Sequence, residues 1–146
     1  MILISHRGNL FGKKTKQENH PEYILDALSN GYNVEIDVWF KNKKFYLGHD
    51  KPQHIVTKKF LLNKKLWCHA KNADAIYMLD KIKAHYFWHQ KDDYTLTSKG
   101  IMWVYPGKKL FKRSICVLLK KNFFMPKNCL GICSDYIGFI KGKKND

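Results

Sequence analysis

Apolar and polar positions alternate in short bursts along this chain, and they take a helical spacing in two places. Ile2 to Ser5 is a brief apolar run that predicts a buried strand. Pro21 to Asn30 predicts a helix: Pro21 suits the first turn, Ile24, Leu25 and Leu28 form a stripe, and Gly31 stops it. In Asn33 to Phe40, Val34, Ile36 and Val38 alternate with Glu35, Asp37 and Trp39. That two-residue period is a strand, and it puts both carboxylates on one face with Cα atoms about 7 Å apart. Phe45 to Gly48 predicts a short return, with Asn42 in the turn. Leu66 to Ala70 is the next strand, after which Asn72 can cap a helix from Ala73 to Lys83. Tyr86 to His89, Ile101 to Tyr105, Ser114 to Leu119 and Leu130 to Cys133 complete the predicted strands.

Strands that alternate with helical patterns point to a parallel α/β architecture. The helices are clear early and scarce later, where the spacing between strands is too short for full crossover helices. An eight-fold α/β barrel takes about 250 residues, so a barrel built here is either pared down or incomplete. The length of 146 residues suggests one domain over 1–140, followed by a polar tail over 141–146.

Composition narrows the function. The net charge is +15, but the cations are almost all lysine, and Arg7 and Arg113 are the two arginines. Base-edge readers rely on the arginine fork, so specific nucleic-acid recognition is not expected. A lysine surface favours anionic partners, including an anionic membrane face. Cys68, Cys116, Cys129 and Cys133 form no CxxC pair, which argues against a zinc ribbon. No apolar run is long enough to span a bilayer, and Met1-Ile2-Leu3-Ile4 is too short for a signal peptide. A reduced, cytoplasmic protein is the expectation.

The polar residues at strand ends carry the chemistry. His6-Arg7-Gly8 follows the first strand, Glu35 and Asp37 lie on the second, His49-Asp50 follows the return, and His69 and Lys71 follow the next. In a parallel barrel such ends meet on one face. His6-Arg7-Gly8, Glu18-Asn19, Glu35-Ile36-Asp37 and Gly48-His49-Asp50, in this order, resemble the glycerophosphodiester phosphodiesterase family of phospholipase-C-like phosphodiesterases. The likeness covers the first third of the chain, and Leu130 to Asp135 looks like that family's last strand. The resemblance implies a reduced TIM-type (β/α) barrel, with several outer helices shortened or missing. It also implies cleavage of a glycerophosphodiester or related lipid-headgroup phosphodiester with a divalent cation, Mg²⁺ or Ca²⁺. Glu35 and Asp37 would hold the cation, as hard cations favour carboxylate oxygens. His6 would be the base and His49 the acid. Arg7 and Lys71 would bind phosphate, and Glu18 would orient Arg7 or the metal shell.

The chain departs from that pattern at His69, where the family has a carboxylate as third metal ligand. Imidazole suits Mg²⁺ or Ca²⁺ less well. Each residue also has an ordinary reading: His6 as a strand cap, Glu35 and Asp37 as a solvated face, His49 in a turn, Lys71 on the surface. Trp88, His89, Trp103 and Tyr105 read as packing residues that could also line a pocket, and Ser134 and Asp135 could reach the mouth. His20, His54 and His85 read as structural, and Asp92-Asp93 as a turn cap. Two further functions stand beside the enzyme: a non-catalytic phosphate-binding module on a degenerate barrel, and a lysine-rich nucleic-acid-binding protein.

Overall fold

A computed structural model describes residues 1–121 and 125–142. The elements are β1 (Ile2–His6), α1 (Pro21–Ser29), β2 (Asn33–Lys41), β3 (Lys44–Leu47), β4 (His54–Val56), α2 (Lys58–Leu61) and β5 (Leu66–Ala70). There follow α3 (Ala73–Lys81), β6 (Tyr86–Trp88), β7 (Tyr94–Leu96), β8 (Met102–Val104), β9 (Ser114–Leu118), β10 (Gly131–Ser134) and α4 (Ile137–Gly142). Local chemistry sets these boundaries. The His20 ring accepts from Glu22 N ahead of Pro21 to open α1, and Gly31, at φ +88°, lies just past its end. Asn72 Oδ1 accepts from Ala75 N to open α3. Asn42 and Lys43, at φ +50° and +61°, make the two-residue turn that joins β2 to β3.

Seven strands run parallel in the order β6-β5-β2-β1-β10-β9-β8. The sheet is mixed rather than wholly parallel, because β3 and β4 add antiparallel beyond β2, and β7 adds antiparallel to β8. Its ten strands are not closed by a ladder among the described residues. Toward β6 there are isolated bonds in place of a ladder: Thr95 Oγ1 of β7 donates to Trp88 O at 2.7 Å, and Ser98, just past β7, donates N–H to Tyr86 O at 2.7 Å and accepts from Tyr86 N at 3.0 Å on its Oγ. Among the described residues no helix lies between β6 and β10.

Register puts His6 opposite Glu35, Asp37 opposite His69, and Ile4 opposite Cys133, so these share one face of the sheet. Lower on that face, Trp67, Phe87, Trp103, Ile115 and Val117 are buried. Phe87 stacks on Trp103 with centroids 4.6 Å apart, and Trp67 lies 6.0 Å from Trp103. Since β6 and β8 end the parallel run on opposite sides, this contact means that the sheet curls until its ends meet through side chains. Burying a side chain of this size contributes roughly 2–3 kcal/mol. On the other face, Ile24 and Ala27 of α1 and Ala75 and Leu79 of α3 pack with Val34, Ile36, Val38 and Cys68. Ile137 and Ile140 of α4 cover Ile132. Of the tail expected over 141–146, Lys141 and Gly142 end α4, and residues 143–146 lie outside the described residues. No helix of the described residues is long and apolar enough to cross a membrane.

Candidate active site

The polar upper layer of the curled face opens into a cavity of about 620 Å³. His6, Arg7, Glu35, His49, His69 and Lys71 all line it, and Asp37 lies fully buried beneath. The sequence-derived candidates therefore converge, with Glu18 behind Arg7.

His6 ends β1, and its Nδ1 lies 2.8 Å from Asp135 Oδ1. The carboxylate accepts, so Nδ1 carries the hydrogen and Nε2 is the basic nitrogen, 3.7 Å from Glu35 Oε2. Burial opposes a charge on this ring, but the Asp135 hydrogen bond and the Glu35 charge outweigh it and raise the His6 pKa. The same bond holds Asp135 below its ordinary value despite burial. Asn9 Nδ2 donates both to Asp135 Oδ1 at 2.8 Å and to Glu18 Oε1 at 2.9 Å, tying the two carboxylates together.

Asp37 is the most heavily compensated group. Arg7 Nε lies 2.8 Å from its Oδ2, and His69 Nδ1 and Lys71 Nζ lie 3.2 and 3.6 Å from its Oδ1. Asn19 clasps it twice: Nδ2 donates to Oδ2 at 2.8 Å, and Oδ1 accepts from Asp37 N at 2.9 Å. Burial opposes its ionisation, but His69, Arg7 and Lys71 overcome that and depress its pKa strongly. Glu18 Oε2 lies 3.4 Å from Arg7 Nη1, which orients the guanidinium.

One ligand atom each from Glu35, Asp37 and His69 falls within 4.8 Å of the others. Glu35 Oε2 is buried and accepts no hydrogen bond, whereas Asp37 Oδ1 already faces His69 and Lys71. A buried, orphaned carboxylate oxygen is costly unless a cation fills the gap. The tautomer of His69 suits that role. Its Nε2 lies 2.8 Å from His89 O, a pure acceptor, so the hydrogen sits on Nε2 and Nδ1 is left to ligate. With no cation present, burial disfavours the imidazolium, but Asp37 and Glu35 raise the His69 pKa to about 9. The residues thus fit a divalent cation, and two carboxylates with one imidazole form a mixed donor set.

His49 follows Gly48, which is held by a bond from Gly48 N to Asp37 O at 3.2 Å and by Trp39 Nε1 donating to Gly48 O at 2.7 Å. Its Nδ1 lies 2.7 Å from Asp50 Oδ1, and its side chain is 44% exposed, unlike the buried His6. The arrangement leaves Nε2 to a bound molecule. Known protein families, curated proteins and solved structures include none that matches this chain.

Sequence reasoning undervalued seven residues. Asp135 is the partner of His6, and its place directly after the last strand was the signal. Asn9 follows the His-Arg-Gly triplet and is fully buried. Asn19 grips Asp37 as well as shaping its turn at φ +61°. Trp88, His89, Trp103 and Tyr105, read chiefly as packing, all line the cavity, with Trp103 also in the core. His20 and His54 take no part in these contacts and pack edge to face at 4.7 Å, while Asp92 Oδ2 lies 3.7 Å from Nδ1 of the cavity residue His89.

Proposed function

We propose that this chain is a metal-dependent phosphodiesterase of the glycerophosphodiester phosphodiesterase type, on a reduced (β/α) barrel with an open seam beside β6. Its substrate would be a glycerophosphodiester or related lipid-headgroup phosphodiester. The observation that carries the reading is Glu35. It is a buried carboxylate with an oxygen that accepts no hydrogen bond, set between the basic nitrogen of an oriented histidine and the free Nδ1 of another. A divalent cation on Glu35, Asp37 and His69 would neutralise a phosphate oxygen and polarise phosphorus.

The chain's own groups supply the rest. His6 Nε2 takes the proton from the attacking hydroxyl, whether water or a neighbouring hydroxyl of the substrate, as its O–P bond forms. Asp135 holds the imidazolium that results. Arg7 and Lys71 line the cavity and hold phosphate oxygens. His49 protonates the departing alkoxide as its P–O bond breaks. Water as nucleophile leaves a monoester, and an internal hydroxyl leaves a cyclic phosphate.

A second reading, a phosphate-binding module without turnover, is favoured by the cations already surrounding Asp37. One experiment separates the two. Glycerophosphocholine, glycerophosphoethanolamine and a chromogenic diester are incubated with Mg²⁺, Ca²⁺, Mn²⁺ or chelator, using wild type, His6→Ala, His49→Ala and Glu35→Gln. The enzyme reading expects metal-dependent cleavage that falls by about a hundredfold or more in His6→Ala. It also expects Glu35→Gln to lose the thermal stabilisation that added cation gives wild type. Absence of turnover with every metal, alongside phosphate binding that persists in chelator, would favour the module.

A further inference from the structure

Residues 41–65 hold eight lysines against one acid, Asp50. That acid is already engaged by His49. Against this stretch a second cavity, of about 760 Å³, lies between the β3–β4 hairpin and α3. Phe40, Phe45, Ile55, Val56, Met78 and Ile82 form its apolar walls. Lys43, Lys44, Lys58 and Lys81 rim it, and no carboxylate lines it. Two apolar side chains stand out into solvent on the same elements: Ile55 of β4 at 58% and Tyr77 of α3 at 67% exposed.

We propose that this groove is a docking site for an anionic phospholipid surface, with the four lysines at the headgroups and Ile55 in the acyl boundary. The chemistry of the rim selects that partner. Lysines are diffuse point charges on flexible stems, and they lack the forks that fix peptide carboxylates in one geometry. Such stems lie along apolar surface while their ammonium groups reach outward. An apolar strip flanked by lysines is the arrangement that binds membrane interfaces, where apolar burial and attraction to anionic lipid add. The site uses none of the residues around His6, so it stands whether or not the phosphodiesterase reading holds.

The test is co-sedimentation of the full chain with phosphatidylcholine vesicles, with and without phosphatidylserine, at low and high salt. One variant reverses the groove lysines (Lys43→Glu, Lys44→Glu, Lys58→Glu, Lys81→Glu). A control reverses four lysines elsewhere (Lys99→Glu, Lys109→Glu, Lys112→Glu, Lys127→Glu), and a third variant is Ile55→Glu. Far-UV circular dichroism verifies folding. Salt-sensitive binding to the acidic vesicles is expected, with an affinity loss of about tenfold or more in the groove variant and little in the control. Ile55→Glu should weaken binding about fivefold, and His6→Ala should bind as wild type. Equal losses in groove and control variants would mean delocalised charge and overturn the site. So would failure to bind acidic vesicles at low salt, loss of binding in His6→Ala, or capture of polyuridylate or an acidic peptide by these lysines in place of vesicles.

Discussion

The base role proposed for His6 requires one tautomer, and the contact with Asp135 selects it. Asp135→Asn removes the carboxylate that holds the Nδ1 hydrogen and the imidazolium, so kcat for diester cleavage is expected to fall about a hundredfold or more while KM moves little. The pH profile makes the role specific. The His6 pKa lies above its usual 6.5 because Asp135 and Glu35 outweigh burial. A base must be unprotonated, so kcat/KM rises with pH through a value above 6.5. In Asp135→Asn that rising limb shifts to lower pH. A limb that stays in place would make Asp135 a structural neighbour only.

At the scale of elements, Asn72 ties α3 to β2. Its Oδ1 accepts from Phe40 N at 3.1 Å and Ala75 N at 3.1 Å, and its Nδ2 donates to Phe40 O at 2.8 Å. One side chain thus caps α3, pins the end of β2 and fixes the chain beside Lys71. Asn72→Ala is expected to cost about 2 kcal/mol or more, the loss of a cap plus stranded backbone groups of Phe40. Denaturant unfolding measures the loss, and the same variant should lower phosphate affinity through Lys71. The capping role was legible in the sequence, as were the two long helices and the alternation on β2, because each rests on local periodicity. The tie to Phe40 was not, since it spans 32 positions. Nor were β4 and β7, equally short but with no buried residue, whereas β6 and β8 bury Phe87 and Trp103. The His6, Glu35, Asp37 and Lys71 grouping was legible because His6 and Lys71 end or follow strands while Glu35 and Asp37 alternate with apolar residues along β2. Asp135 and Asn9 were obscured because what marks them is burial against His6 and Glu18, which no spacing reports.

For the molecule as a whole, histidines set the pH range of stability. Buried His85 contacts Thr97 Oγ1 at 2.8 Å and lies 4.2 Å from the Trp67 ring. Burial, and then the Lys99 charge, push its pKa down from 6.5 to about 4. Between those values the unfolded chain binds the proton more readily, so this contribution is full above about 6.5 and is lost as pH falls toward about 4. His69, raised to about 9, runs the other way: its contribution is full below 6.5 and is lost as pH climbs through about 9. Melting temperatures measured from neutral to acid pH should fall for wild type and fall less steeply for His85→Gln. Parallel curves would assign the acid loss to other groups. The pairing of His6 with Asp135 has a further consequence, because the two residues are 129 positions apart. β1 lies in the middle of the sheet, and one of its two neighbours is β10. During synthesis β1 must wait with an edge bare until residues 131–134 have been made. Such a long-range closure makes folding slow and leaves an early strand open to wrong partners. A nascent or truncated chain ending before Gly131 would hold most of the cavity's residues but lack Asp135, the carboxylate that orients His6.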